Sequence, residues 1–178
     1  MDELFLVRHC ESTGRAPAAP LTAAGFAQAR ALASALPRRC VDRIICSPYT
    51  RAIQSITPFA ERNGLSIEID DRLKERSLNI PDGVDWRKAL EASFDDLDLV
   101  YKGGESSRAA MQRAVAVIND MTGASKAMIV THGNLMTLLL KSFDTTVGFA
   151  HWSRLTNPDV YRITFSASGP AARRIEWS

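Results

Sequence analysis

Short, unbroken apolar runs alternate with longer stretches of helical periodicity along this chain, and that alternation limits the possible folds more than any other feature. Glu3–Arg8, Val41–Cys46, Ile67–Ile69 and Lys126–Thr131 read as buried strands, because a strand covered on both faces shows no polar alternation. Helical segments lie between them. Thr22–Leu36 is Ala-rich, with Phe26, Ala29, Ala33 and Leu36 on one stripe and Pro37 as a stop. Ser47 is expected to cap the next helix, with Pro48 at its first position and Ala52, Ile56, Phe59 and Ala60 following at helical spacing to Asn63-Gly64. A kink is expected at Pro58, which cannot donate to the Gln54 carbonyl. Met111, Ala114, Val115, Ile118 and Met121 form a further stripe, Asn134–Ser142 another helix, and Val160–Phe165 and Ala172–Ile175 two more strands. Strands alternating with helices imply a largely parallel sheet covered on both faces.

With 178 residues, 46% of them hydrophobic and 24% charged, the chain is expected to form a single domain, 1–178, whose core needs no disulfide or structural metal. Within it, about 76–104 has weak periodicity, with helix expected only around Trp86–Phe94, and reads as a lid-like excursion over a site. A net charge of +2 falls short of the basic balance of a nucleic-acid binder, and no apolar run approaches the roughly 18 residues of a membrane span. The opening Met-Asp-Glu-Leu-Phe-Leu lacks a basic, apolar leader, and three cysteines are an odd number for a disulfide framework. The expected compartment is the cytoplasm. Nothing in the sequence sets an oligomeric state.

In parallel sheets, sites gather beyond the carboxyl ends of strands. Arg8-His9 follows one predicted strand, His132-Gly133 another, and Ser47-Pro48-Tyr49-Thr50-Arg51 a third. An Arg in a first helical turn opposes the helix dipole, so Arg51 has another reason to be there, and its guanidinium is free to turn back toward the strand ends.

These residues belong to a larger pattern. Leu6-Val7-Arg8-His9-Cys10-Glu11-Ser12, Leu21-Thr22-Ala23-Ala24-Gly25, Ser47-Pro48-Tyr49-Thr50-Arg51-Ala52, Leu73-Lys74-Glu75-Arg76 and Val130-Thr131-His132-Gly133 occur in the order of the corresponding motifs of the histidine phosphatase superfamily. The chain resembles that superfamily, which includes the cofactor-dependent phosphoglycerate mutases. The resemblance implies a three-layer α/β/α sandwich with a mostly parallel mixed sheet. It also implies His9 as the nucleophile that becomes a phosphohistidine, and Glu75 as proton donor and acceptor. Arg8, Ser12, Arg51, His132 and Gly133 are implied as phosphate contacts, and Arg15, standing where the mutase branch commonly has Asn, joins them as a candidate.

The residue types suit that chemistry. Phosphoryl transfer draws most of its catalysis from holding charge on the equatorial oxygens, which the planar forks of Arg8 and Arg51 do at any physiological pH. The same cations are expected to lower the pKa of His9 and keep its imidazole neutral. The expected activity is therefore a phosphomonoester hydrolase, free of metal and organic cofactor, acting on a small phosphorylated metabolite or phosphoprotein. The alternatives are a mutase-type phosphotransferase and a non-catalytic scaffold that binds phosphorylated ligands. One departure stands out: Cys10 occupies a position usually held by Gly, and a thiol beside two guanidinium groups is expected to have a lowered pKa and to be sensitive to peroxide. A cysteine-nucleophile loop is disfavoured because only Glu11-Ser12-Thr13-Gly14 separate Cys10 from Arg15, one residue too few. His9, Cys10, Cys40, Cys46 and His132 have no zinc-ligand spacing beyond the adjacent pair.

Overall fold

The computed structural model describes residues 1–121 and 123–176. Strands β1 (Glu3–Arg8), β2 (Arg43–Cys46), β3 (Ile67–Ile69), β4 (Lys126–Thr131), β5 (Asp159–Ser166) and β6 (Gly169–Arg174) form one sheet in the order β3-β2-β4-β1-β5-β6. The pairs β2/β3, β2/β4 and β1/β4 are parallel, whereas β5 runs antiparallel to both β1 and β6. The four parallel strands are the runs predicted from the sequence, and β1 and β4 are apolar between their polar end residues because both of their faces are covered.

Helices α1 (Ala23–Ala35) and α2 (Thr50–Asn63) lie on one face of the sheet, and α3 (Trp86–Asp95), α4 (Ser107–Asp120) and α5 (Gly133–Phe143) on the other. The period of two along each strand decides which side chains meet which layer. Phe5, Val7, Ile44, Met128 and Val130 pack with Leu32, Ile56 and Phe59 of the first layer. Leu4, Leu6, Ile45, Ala127 and Ile129 pack with Ala114, Val117, Leu135 and Leu138 of the second. Three layers result, α/β/α. A short helix, α6 (Phe149–Trp152), precedes β5.

Two local expectations need correction. The helix predicted from Pro48 starts at Thr50 with Tyr49 as its cap residue, and the Ser47 hydroxyl, instead of capping α2, meets His132 Nε2 at 2.7 Å and accepts from Tyr49 N at 3.3 Å. Phe26 is 40% exposed, and α1 instead buries Gly25, Ala29, Leu32 and Ala33. Pro58 lies inside α2, which continues to Asn63 as the sequence stop at Asn63-Gly64 predicts.

The Leu-Thr-x-x-Gly block has a clear physical task. Thr22 caps α1 by accepting from Gly25 N at 3.0 Å, and its hydroxyl donates to Glu11 Oε1 at 2.7 Å. A Cβ on Gly25 would lie 2.0 Å from the Glu11 carbonyl oxygen, so the block lets the loop after β1 lie directly on the start of α1.

Candidate active site

The carboxyl ends of β1, β2 and β4 open into a cavity of about 860 Å³. His9 leaves β1 only 9% exposed. Its Nδ1 lies 2.6 Å from the Cys10 carbonyl oxygen, and a carbonyl only accepts, so Nδ1 carries the hydrogen. Arg51 Nε donates to His9 Nε2 at 3.2 Å, and a guanidinium only donates, so Nε2 carries the lone pair. Both contacts select the same neutral tautomer. The His9 main chain is fixed as well, its N donating to the Thr131 carbonyl at 3.0 Å and its carbonyl accepting from Asn157 Nδ2 at 2.7 Å.

Burial, opposed by the Cys10 hydrogen bond and reinforced by Arg51 and Arg8, holds the His9 pKa down at about 4. The direction matches the expectation from sequence, but desolvation outweighs the cations. Stability follows from the shift. Between about pH 6.5 and 4 the unfolded chain binds the proton that folded His9 refuses, so folding weakens as pH falls through that window. We expect a loss on the order of 3 kcal/mol from His9. His132, lowered well below 6.5 chiefly by burial, acts in the same direction. Urea denaturation at pH 7 and pH 4.5 checks this, and equal midpoints would contradict it.

Arg51, at the start of α2, is 4% exposed and points back toward the strand ends. Its Nη1 donates to the carbonyls of Arg15 and Ala16 at 3.2 and 2.9 Å, and its plane covers the Tyr49 ring at 4.8 Å. Arg8 Nη1 donates to the carbonyls of Leu155 and Thr156 at 3.1 and 3.2 Å. A Cβ on Gly133 would meet the Arg8 guanidinium at 3.1 Å, so the second His-Gly pair has no side chain where Arg8 passes.

Glu75, set in what reads as a solvated charge run, is held instead by the first turn of α5. Its Oε2 accepts from Asn134 N at 3.0 Å, and its Oε1 accepts from Leu135 N at 3.0 Å and Arg76 N at 2.9 Å. The first turn of α5 has no acid of its own, and its cap residue His132 offers no side-chain cap, so this carboxylate satisfies amides that would otherwise be orphaned. Arg76 is 5% exposed and anchors the excursion, its Nη1 reaching Ser93 Oγ at 2.8 Å and Ser107 Oγ at 2.6 Å and its Nε the Glu105 carbonyl at 2.9 Å.

His9, Arg8, Arg51, Glu75, Ser12, Arg15 and Gly133 all line the cavity. His132 does not. It is fully buried beneath His9, with ring centroids 5.1 Å apart, its Nε2 on Ser47 and its Nδ1 without a partner among the described residues. Arg8 Nε and Asn134 Oδ1 are likewise buried and unpaired, which leaves polar capacity around the site. Residues 77–80 of the wall fall within the excursion expected over the site, whereas reasoning from sequence gave Asn157 and Trp152 no part in it; no local signal marks these two.

Cys10 contradicts the expectation made for it. Its φ is not positive, so the loop needs no glycine there. Its side chain is fully buried with Leu21 and Ala29, and burial pushes the thiol up to about 11. A protonated, enclosed thiol is a poor nucleophile and a poor target for peroxide. We expect peroxide at concentrations that oxidise exposed thiols to leave activity unchanged, with Cys10 unmodified by mass spectrometry.

One imidazole, two guanidinium groups and a helix-held carboxylate around one cavity, with a second imidazole packed beneath the first, form a site able to bind a tetrahedral oxyanion against a neutral nucleophile. The family model of the histidine phosphatase superfamily (branch 1) matches residues 4–178, and the chain belongs to that superfamily. Among curated relatives, putative phosphoserine phosphatase 2 of Hydrogenobacter thermophilus is 35% identical, the match covering 53% of this chain and 50%, about half, of that protein. Probable phosphoglycerate mutase GpmB of Yersinia enterocolitica is 26% identical over 80% of this chain and 74% of its own. A mycobacterial glucosyl-3-phosphoglycerate phosphatase solved with inorganic phosphate matches with a TM-score of 0.77 at 22% identity, covering 99% of this chain and 97% of that one. This last likeness establishes the fold.

Proposed function

We propose that the chain is a phosphomonoester hydrolase that works through a phosphohistidine at His9 Nε2. The observation that carries this reading is the neutral His9 tautomer, its Nε2 lone pair directed to the Arg51 edge of the cavity. In the first step Nε2 attacks phosphorus, the ester P–O bond breaks, and Glu75, which enters the step with a proton taken up from solvent, gives that proton to the departing alkoxide oxygen. Glu75, now a carboxylate, then takes a proton from water, whose oxygen attacks phosphorus, breaks the P–N bond and returns His9 neutral. Arg8 and Arg51 hold the equatorial oxygens through both steps. Ser12, Arg15 and Gly133 contact the substrate from the wall, and His132 supports the site from below through His9.

Because two arginines supply the positive charge, the reaction runs without a metal or organic cofactor. Residues 1–178 act as one catalytic domain in the cytoplasm, with about 76–104 as its lid, and the substrate is a small phosphorylated molecule. Hydrolysis is favoured over transfer to a second acceptor by the shortness of the excursion between Glu75 and Gly104. Phosphate release from p-nitrophenyl phosphate at mildly acidic pH, with and without chelator, tests the reading, and absence of turnover by the wild-type protein overturns it. Net isomerisation of 3-phosphoglycerate in the presence of its bisphosphate, faster than phosphate release, would instead establish the mutase.

A further inference from the structure

Resting on the phosphatase reading, we infer that the leaving-group end of the cavity takes a planar aromatic or heteroaromatic group in preference to a polyhydroxylated one. A phosphoryl group alone cannot fill about 860 Å³, a volume within the range of sites for drug-sized molecules. Beyond the groups around His9, the wall carries Leu78, Ile80, Leu90, Trp86 and Trp152, with Arg76, Ser77 and Asn79 between them. Of the polar side chains of the excursion, Arg76 is engaged through Nε and Nη1 with the Glu105 carbonyl, Ser93 and Ser107, and Asn79 through Nδ2 with the Lys102 carbonyl, whereas Arg76 Nη2 is without a partner among the described residues. A flat ring buries its whole surface against the five apolar side chains, whereas a sugar would set hydroxyls against the same area.

The exposed aromatic of this wall is held ready. Trp86 is 44% exposed, yet its ring is fixed from two sides. The Arg15 guanidinium lies 5.4 Å from its centroid, and Trp152 meets it edge-to-face at 6.0 Å. Trp152 in turn stacks on Phe149 at 5.4 Å, and Arg87 covers Phe149 at 5.2 Å. One connected set of rings and guanidinium planes thus joins the Arg15 loop, α3 and α6 at the mouth of the cavity. Arg15 covers one face of Trp86, and the remaining exposed part of the ring is open to a planar partner.

The test compares 2-(2-naphthyl)ethyl phosphate with glucose 6-phosphate, both of which release a primary alcohol, so intrinsic leaving-group reactivity is matched. We expect kcat/KM at least about tenfold higher for the naphthyl ester, the scale of one aromatic stacking contact. In Trp86→Ala that ratio is expected to fall to within about threefold of unity, and in Trp86→Phe most of it returns. Equal or better turnover of glucose 6-phosphate, or a ratio indifferent to Trp86→Ala, overturns the inference while leaving the phosphatase reading intact. If neither of these esters nor p-nitrophenyl phosphate is hydrolysed the phosphatase reading fails. Where the two esters are not turned over, calorimetry decides the subsite: 2-(2-naphthyl)ethylphosphonate binding about tenfold more tightly than methylphosphonate supports it, and equal Kd values overturn it.

Discussion

Replacing His9 by alanine is expected to lower kcat/KM by at least about 10⁴-fold, because removing the nucleophile leaves only binding and charge stabilisation to act. The structure adds two measurable details. His9 is neutral well below the usual imidazole range, at about 4, so the acid limb of wild-type kcat/KM is expected near that value rather than near 6.5. In addition, 32P from a labelled ester is expected to remain on the denatured wild-type chain in alkali and to be lost in acid, as a phosphoramidate behaves, and to be absent from the variant. A variant retaining more than a hundredth of wild-type activity, or label on another side chain, would remove His9 from the reaction.

Glu75→Gln is expected to cost about 10²- to 10⁴-fold in kcat for an alkyl phosphate, the range of a lost general acid. The loss is expected to be much smaller for p-nitrophenyl phosphate, whose phenolate leaves without a proton. The substitution is not isosteric in its hydrogen bonding. Both Glu75 oxygens accept amides, Oε2 from Asn134 and Oε1 from Leu135 and Arg76, whereas glutamine turns an NH₂ toward one of them. A fall in stability of about 1–2 kcal/mol is therefore expected alongside the kinetic loss. Equal kinetic losses on both esters would reduce Glu75 to a cap of α5.

Much of the fold was legible before any coordinates, for reasons particular to each element. The runs ending at Arg8 and Thr131 are continuous apolar stretches that only doubly covered strands tolerate, and β1 and β4 fall where they were predicted. α3 begins at the predicted Trp86, and α4 carries the predicted stripe, although Ala110 and Val117, rather than Met111 and Val115, sit deepest in it. The start of α2 differs from the expectation because the Ser47 hydroxyl is shared between Tyr49 N and His132, 85 positions away, and the helix begins two residues after Pro48. Phe26 was misplaced because α1 lies so close to the loop after β1 that Gly25 occupies the inner position. No single helix reveals that approach.

The site divides in the same way. His9, Arg51, His132 and the Leu-Lys-Glu-Arg block were found because their chemistry and their positions after apolar runs are local properties of the chain. Their environments are not local. The His9 tautomer depends on Arg51, 42 residues on, and Glu75 is held by amides 59 and 60 residues beyond it. Asn157 and Arg8 meet across 148 residues the segments they stabilise. Cys10 shows the difference most sharply: adjacent arginines suggested a reactive thiolate, and enclosure between Leu21 and Ala29 made it an inert apolar side chain. Local spacing and residue type determined which layers form and which groups stand at the strand ends. Only the folded arrangement decided protonation, partners and access, because these depend on dielectric and hydrogen-bond geometry created by segments that meet through packing.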